Sequence, residues 1–265
     1  MSREHELQAR LDLAVEAGRE AGQITLNYFN RGNYEVEWKA DHSPVTVADR
    51  QAEEHLRARI EDRFPDDGIL GEEFEEKFGT SGYRWILDPI DGTKSFVSGV
   101  PLYGTMVAVE HDRRGVVGVV DLPPLDECVY AAVGQGVWLL RGGQEPQPAR
   151  VSACRQLDQA LFCATSVESF YTLGRQAAFE RLMAETRLTR TWGDCYGYLL
   201  VATGRAEVMI DPAMNVWDAA ALQPIMEEAG GTFTDWRGEA TIHHHEAIAT
   251  NGHLLEAVLD CTRGK

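Results

Sequence analysis

Trp85-Ile86-Leu87-Asp88-Pro89-Ile90-Asp91-Gly92-Thr93 reads as an apolar strand that ends on two acids. The strand delivers Asp88 to a sheet end and Pro89 fixes a turn. Asp91 returns three residues later, with the Ile90 carbonyl between the two carboxylates. Oxygen donors gathered in this way suit a hard cation. Gly92 and Thr93 follow at once, and a helix starting there would offer free N–H groups to a phosphate beside the metal. Asp, Pro and Gly are also the commonest turn formers, so on these residues alone ordinary turn punctuation competes with that reading.

Two further acidic segments bear on the choice. Gly71-Glu72-Glu73 follows the apolar Ile69-Leu70. Adjacent acids at a strand end cannot both face one way, so Glu72 is assigned to the metal, and Glu73 supports it from behind or holds a water. A solvated acidic loop running on through Glu75 and Glu76 accounts for the same residues. Trp217-Asp218 heads the run WDAAALQPIMEEAGG, residues 217–231. Taken alone, Asp218 would pass for a helix cap.

Around these segments the apolar spacing predicts an amphipathic helix over residues 4–29 and a second over 47–64, before the first acidic cluster. Strands follow in YRWILD, TMVAVE and GVVGVVDLP, and then a hairpin in residues 134–150. A soft boundary near residue 150 separates an N-terminal α+β half from a C-terminal half, residues 151–265, in which strands and helices alternate. Together the halves read as one catalytic unit. Pro224 falls inside the WDAAALQPIMEEAGG helix, where it lacks a donor N–H and predicts a kink. Nothing in the sequence explains its tolerance there.

Composition narrows the partners. The 265 residues carry 25 basic and 42 acidic side chains, a formal −17, which argues against nucleic acid or an anionic membrane. No run approaches the ~20 apolar residues of a membrane span, and the opening lacks a signal-peptide core, which places the protein in the cytoplasm. The five cysteines form no C-x-x-C pair, so neither a disulfide framework nor a zinc knuckle is indicated. His243-His244-His245 is read as a surface run, since neighbours on a strand point to opposite faces and no acidic cluster surrounds them. A phosphate ligand would need the sign of the field reversed at its site, as carboxylates loaded with divalent cations would do.

Gly71-Glu72-Glu73, Asp88-Pro89-Ile90-Asp91-Gly92-Thr93 and Trp217-Asp218 with Ala229-Gly230-Gly231 together resemble the pattern of the inositol monophosphatase family, and the likeness covers almost the whole chain. The resemblance implies a layered αβαβα sandwich, an α/β fold, and metal-assisted hydrolysis of small phosphate monoesters by a homodimer. It implies two to three magnesium ions. One would be held by Glu72, Asp88 and the Ile90 carbonyl, another by Asp88, Asp91 and Asp218, and a third would share Glu72. Two such cations about 4 Å apart can stabilise the attacking and leaving oxygens of an in-line displacement, without a covalent phosphoenzyme. The segment KADHSPVT, residues 39–46, is similar to the form found in related nucleotide and sugar phosphatases. By that likeness Asp41, Thr93 and Glu72 act in catalysis, Asp41 orienting the attacking water with Thr93.

Two stretches narrow the ester. KSFVSGVPLYGT, residues 94–105, and RTWGDCYGY, residues 190–198, look like the versions in the histidinol-phosphate phosphatases of this superfamily. That likeness implies histidinol phosphate as substrate, and puts Asp91, Gly92, Thr93, Gly193, Asp194, Asp211 and Asp218 against it, with Asn215 in the same pocket. Inositol phosphatases have a small neutral residue where this chain has Asp194. A carboxylate there would favour the substrate's ammonium or imidazole through a charge-assisted hydrogen bond. Asp194 would also serve as the cap of a helix starting at Cys195. Inositol monophosphate, fructose 1,6-bisphosphate or a nucleotide are the rival substrates, and a catalytically inactive interaction protein is the rival of another class.

Overall fold

Strands buried on both faces carry unbroken apolar runs, because odd and even side chains each meet a packed layer. Trp85 and Leu87 lie in one apolar cluster and Ile86, between them, in another. Val107 and Val109 alternate with Met106 and Ala108 in the same manner. The computed structural model describes residues 3–29, 36–38 and 44–263.

Among these residues, β1 (Val36–Trp38) and β2 (Pro44–Thr46) form a small antiparallel ladder. A seven-stranded sheet then runs in chain order through β3 (Gly68–Gly71), β4 (Tyr83–Asp91), β5 (Gly104–His111), β6 (Arg114–Leu122), β7 (Glu127–Ala132), β8 (Val137–Arg141) and β9 (Gln147–Pro148). Only the β3–β4 pair in it is parallel. The second sheet comprises β10 (Leu161–Cys163), β11 (Leu188–Arg190), β12 (Val208–Asp211), β13 (Thr232–Thr234) and β14 (Ala247–Thr250), in the order β11-β10-β12-β14-β13. Its β10 runs parallel to β11 and β12, while β14 is antiparallel to both its neighbours.

Helices α1 (Arg3–Leu26) and α2 (Val47–Arg63) cover one face of the larger sheet through Ala14, Ala17, Leu56 and Ile60. The short α3 (Thr93–Val97) follows β4 directly. Outside the second sheet lie α4 (Val167–Thr172) and α5 (Gln176–Glu185), packed through Phe170, Phe179 and Leu182. Between the sheets stand α6 (Asp194–Ala202), α7 (Val216–Ala220) and α8 (Leu222–Glu228), and α9 (Leu255–Thr262) joins the outer layer. Helix, sheet, helix, sheet, helix is the αβαβα sandwich that the resemblance implied. No helix among the described residues is long and apolar enough to cross a membrane.

Two local features differ from expectation. The helix read as continuous across Pro224 is two helices, broken at Ala221. Pro224 has no N–H for the carbonyl of Ala220, four residues back. That carbonyl lies over β6, where a Cβ on Gly115 would come within 2.6 Å of it, and a Cβ on Gly118 would run into the carbonyl of Ala221. The two glycines let the break sit flat on the sheet, which is why the proline is tolerated. The histidine run, in turn, lies on bends and not on a strand, so the alternation of faces does not apply. It also has acidic partners: His243 Nε2 meets Glu110 Oε1 at 2.8 Å and His244 Nδ1 meets Asp235 Oδ2 at 2.9 Å, while His245 Nδ1 donates to the Met214 carbonyl at 3.2 Å.

Candidate active site

β4 carries the first two acids to one place because its ladder with β5 slips between Asp88 and Asp91. Pro89 has no N–H to keep the register, and its carbonyl accepts the Thr105 hydroxyl at 2.9 Å. Asp218 arrives from the first turn of α7, where one of its oxygens accepts the Asn215 N–H at 2.7 Å. Asn215, expected to line the pocket, is the N-cap of that helix. Carboxylate oxygens of Asp88, Asp91 and Asp218 all lie within 4.8 Å of one another. Asp88 Oδ1 is buried and has no hydrogen-bond partner among the described residues.

Electrostatics make this grouping costly without a cation. Burial, then the charges of Glu72, Asp91 and Asp218, push Asp88 well above the usual carboxylate range. Burial followed by Asp194 and Asp218 does the same to Asp91. Burial holds Asp218 up at about 6. An orphaned buried acceptor among converging carboxylates, all offering oxygen, fits a hard divalent cation.

The remaining predicted ligands sit at the edges of this trio. Glu72 follows β3, donates its N–H to the Leu87 carbonyl at 3.2 Å, and stands outside the tight group while its charge still raises Asp88 and Asp218. The Glu73 N–H donates to Glu53 Oε2 of α2 at 2.8 Å. The Ile90 carbonyl accepts the Thr93 hydroxyl at 3.0 Å, and Gly92 takes the left-handed φ of 86° that turns the chain into α3. Asp41, with the rest of residues 39–43, lies outside the described residues.

A cleft beside the carboxylates is lined by Thr165, Ser166, Asp194, Tyr198, Asp211 and Met214. Asp194 is the first residue of α6 and has a left-handed φ of 51°; the N-cap is Gly193, which has no side chain to cap the helix. The Asp194 N–H donates to Thr165 Oγ1 at 2.8 Å, and the next N–H, of Cys195, donates to Asp91. Burial, with Asp211 and Asp218 nearby and Lys94 opposing, pushes Asp194 up to about 7. Asp211 is buried and receives three donors: Thr165 N–H at 3.0 Å, Thr165 hydroxyl at 2.9 Å and Tyr198 hydroxyl at 3.0 Å.

Several residues of this site escape a reading of the sequence. Asp49 and Glu53 are acids on the buried face of α2, spaced with Ala48, Ala52 and Leu56. Acids at core positions of a helical pattern are the signal that would have exposed them. Asp49 binds the Thr46 N–H at 2.8 Å and hydroxyl at 2.6 Å, and burial pushes it up to about 7. Thr165 lies two residues past the carboxyl end of β10, where open α/β sheets place ligands.

Comparison with known proteins points the same way. The chain matches the inositol monophosphatase family over residues 6–263. It is 44% identical over 245 residues to a histidinol-phosphatase of Chlorobaculum parvum, covering 92% of this chain and 93% of that one. It is 37% identical over 249 residues to a histidinol-phosphatase of Mycobacterium tuberculosis, covering 94% and 96%. Among solved structures it resembles an inositol monophosphatase from Zymomonas mobilis, with a TM-score of 0.85 and 32% identity over 99% of this chain and 100% of that one. The extragenic suppressor protein suhB of Bartonella henselae superimposes with a TM-score of 0.89 at 28% identity, covering 97% and 99%.

Proposed function

This chain belongs to the inositol monophosphatase family and is a phosphomonoesterase, and on that footing we propose that it hydrolyses histidinol phosphate with magnesium as its cofactor. Glu72, Asp88, Asp91, Asp218 and the Ile90 carbonyl would hold the ions, the number being two, with a third shared at Glu72. Bound there, magnesium supplies positive charge for the phosphoryl oxygens and lowers the pKa of water. The chain's own groups do the rest. Gly92 and Thr93 open α3 with N–H groups that have no intrahelical acceptor and can receive phosphate oxygens. The Thr93 hydroxyl holds the Ile90 carbonyl in place, and Asp91 is fixed by the Cys195 N–H. In this reading Asp41 and Thr93 orient the attacking water, with Glu72 beside them. Gly193, Asp194 and Asp211 meet the organic end of the ester.

The observation that carries the choice of ester is Asp194. Among the described residues no side chain or N–H donates to its carboxylate, which lines the cleft next to Asp91 and Asp218. A half-buried carboxylate without a donor is completed by a cation, and histidinol phosphate brings an ammonium and an imidazole where inositol phosphate brings hydroxyls. The relatives named histidinol-phosphatase support the same ester. Initial rates on histidinol phosphate and inositol 1-phosphate, each with magnesium, test it. A kcat/KM for histidinol phosphate higher by about 10²-fold or more is expected, since a site built to pair a polar group of its substrate rejects the analogue lacking it by up to about 10⁴–10⁵-fold. Equal values, or a preference for the inositol ester, would overturn the substrate assignment.

A further inference from the structure

Thr165 connects the two acids that face the organic end of the cleft. A threonine hydroxyl has one proton and two lone pairs. The Asp194 N–H can only donate, and it does so to Thr165 Oγ1 at 2.8 Å, which leaves the hydroxyl proton for Asp211 Oδ2 at 2.9 Å. The Thr165 N–H takes the other Asp211 oxygen at 3.0 Å. Gly193 makes the approach possible, since a Cβ there would run into Thr165 Cα. The result is a fixed start to α6: Asp194 is tied to the second sheet through Thr165, and Cys195 to the first through Asp91.

Asp194 pays for that tie with a left-handed φ of 51°, a conformation that Asp tolerates better than most residues when the surroundings impose it. The two acids then differ in what they can still accept. Asp211 is saturated by Thr165 and Tyr198, whereas the Asp194 carboxylate has no donor among the described residues. We infer that Thr165 is the positioning residue for ester selectivity: its hydroxyl anchors on Asp211 and aims Asp194 at the substrate's cationic group. Asp211 is thereby the anchor, not the receiver. This inference rests on the proposal that the substrate is an ester with a cationic organic end.

Thr165→Val keeps the shape and removes the hydroxyl, and Thr165→Ser keeps the hydroxyl. Values of kcat/KM for histidinol phosphate and for glycerol 2-phosphate, whose organic end carries no charge, with magnesium, give the selectivity ratio of each variant. In Thr165→Val the ratio is expected to narrow by about tenfold or more, mainly through KM for histidinol phosphate, and Thr165→Ser is expected to restore it. Asp194→Asn, the reference for a lost receiver, is expected to narrow the ratio at least as far. If Asp194→Asn narrows the ratio and Thr165→Val leaves it unchanged, or lowers both esters by one factor, Thr165 does not position Asp194 and the substrate reading still stands. If the wild type shows no preference for histidinol phosphate, the substrate reading falls. Crystal structures then decide the tie alone: in Thr165→Val, Asp194 should leave the left-handed region, and an unmoved Asp194 overturns the inference. A thermal melt confirms that each variant is folded, and Thr165→Ala replaces the valine variant if that one is not.

Discussion

A carboxylate buried against three others can persist only by holding a proton or by facing a cation. Asp88 is in that position, with an oxygen that no donor among the described residues reaches. Replacing it with the isosteric amide separates the two needs. Asp88→Asn is expected to lower phosphate release by roughly 10²–10³-fold or more, the scale of a lost electrostatic stabiliser. In EDTA at pH 8 the variant should melt no lower than the wild type, since it carries one fewer buried charge. Magnesium should then raise the melting temperature of the wild type and leave the variant's almost unmoved. Near-normal turnover, or an equal magnesium shift in both proteins, would remove Asp88 from the metal site. Asp88 and Asp91 were legible because strand, turn and second acid are contiguous in the chain. Thr165 was not, because its partners Asp194 and Asp211 are 29 and 46 residues away and only the folded sheet order brings them together.

Asp218 depends on how α7 and α8 lie on the larger sheet. The sequence pattern predicted a single kinked helix from Trp217, and it located the proline correctly but not the break at Ala221. Periodicity reports which face of a helix is apolar. It says nothing about which neighbour will accept an unbonded carbonyl, and here that neighbour is a pair of glycines some hundred residues earlier, on β6. Gly118→Ala is therefore expected to overpack this contact and cost about 1–3 kcal/mol, read from the urea midpoint at constant m. The strain falls on the helix pair that carries Asp218, so magnesium affinity should weaken with it. An unchanged midpoint would show that the β6 glycines are not what seats the break. The buried acids of α2 were missed for a related reason: a search for apolar residues at helical spacing passes over Asp49 and Glu53, although both sit on the inward face.

At the scale of the whole molecule, the layered fold collects acids from the end of β3, from β4, α6, α7 and β12 into one region of a chain whose formal charge is already −17. Without metal the folded state resists ionisation: burial pushes Asp194, Asp49 and Asp121 each up to about 7 and Asp218 up to about 6, against roughly 4 in an unfolded chain. Between those values the folded protein binds more protons than the unfolded one, so stability must fall as pH rises. The metal-free protein is accordingly expected to melt highest near pH 4–5 and progressively lower toward pH 8. Saturating magnesium should flatten most of that slope, because the site carboxylates then ionise against a cation. What is left should belong to acids remote from the ions, and Asp121 separates the two contributions. It is buried where β6 meets α1, with Arg19 3.9 Å away, and takes no part in the carboxylate trio. Asp121→Asn should gain stability at pH 8 and almost none at pH 4, by at most roughly 4 kcal/mol at 1.36 kcal/mol per pH unit over about three units. A flat melting profile in EDTA, or the same slope with and without magnesium, would mean that the gathered acids are not held together at the expense of stability, and that the cation is not what reconciles them.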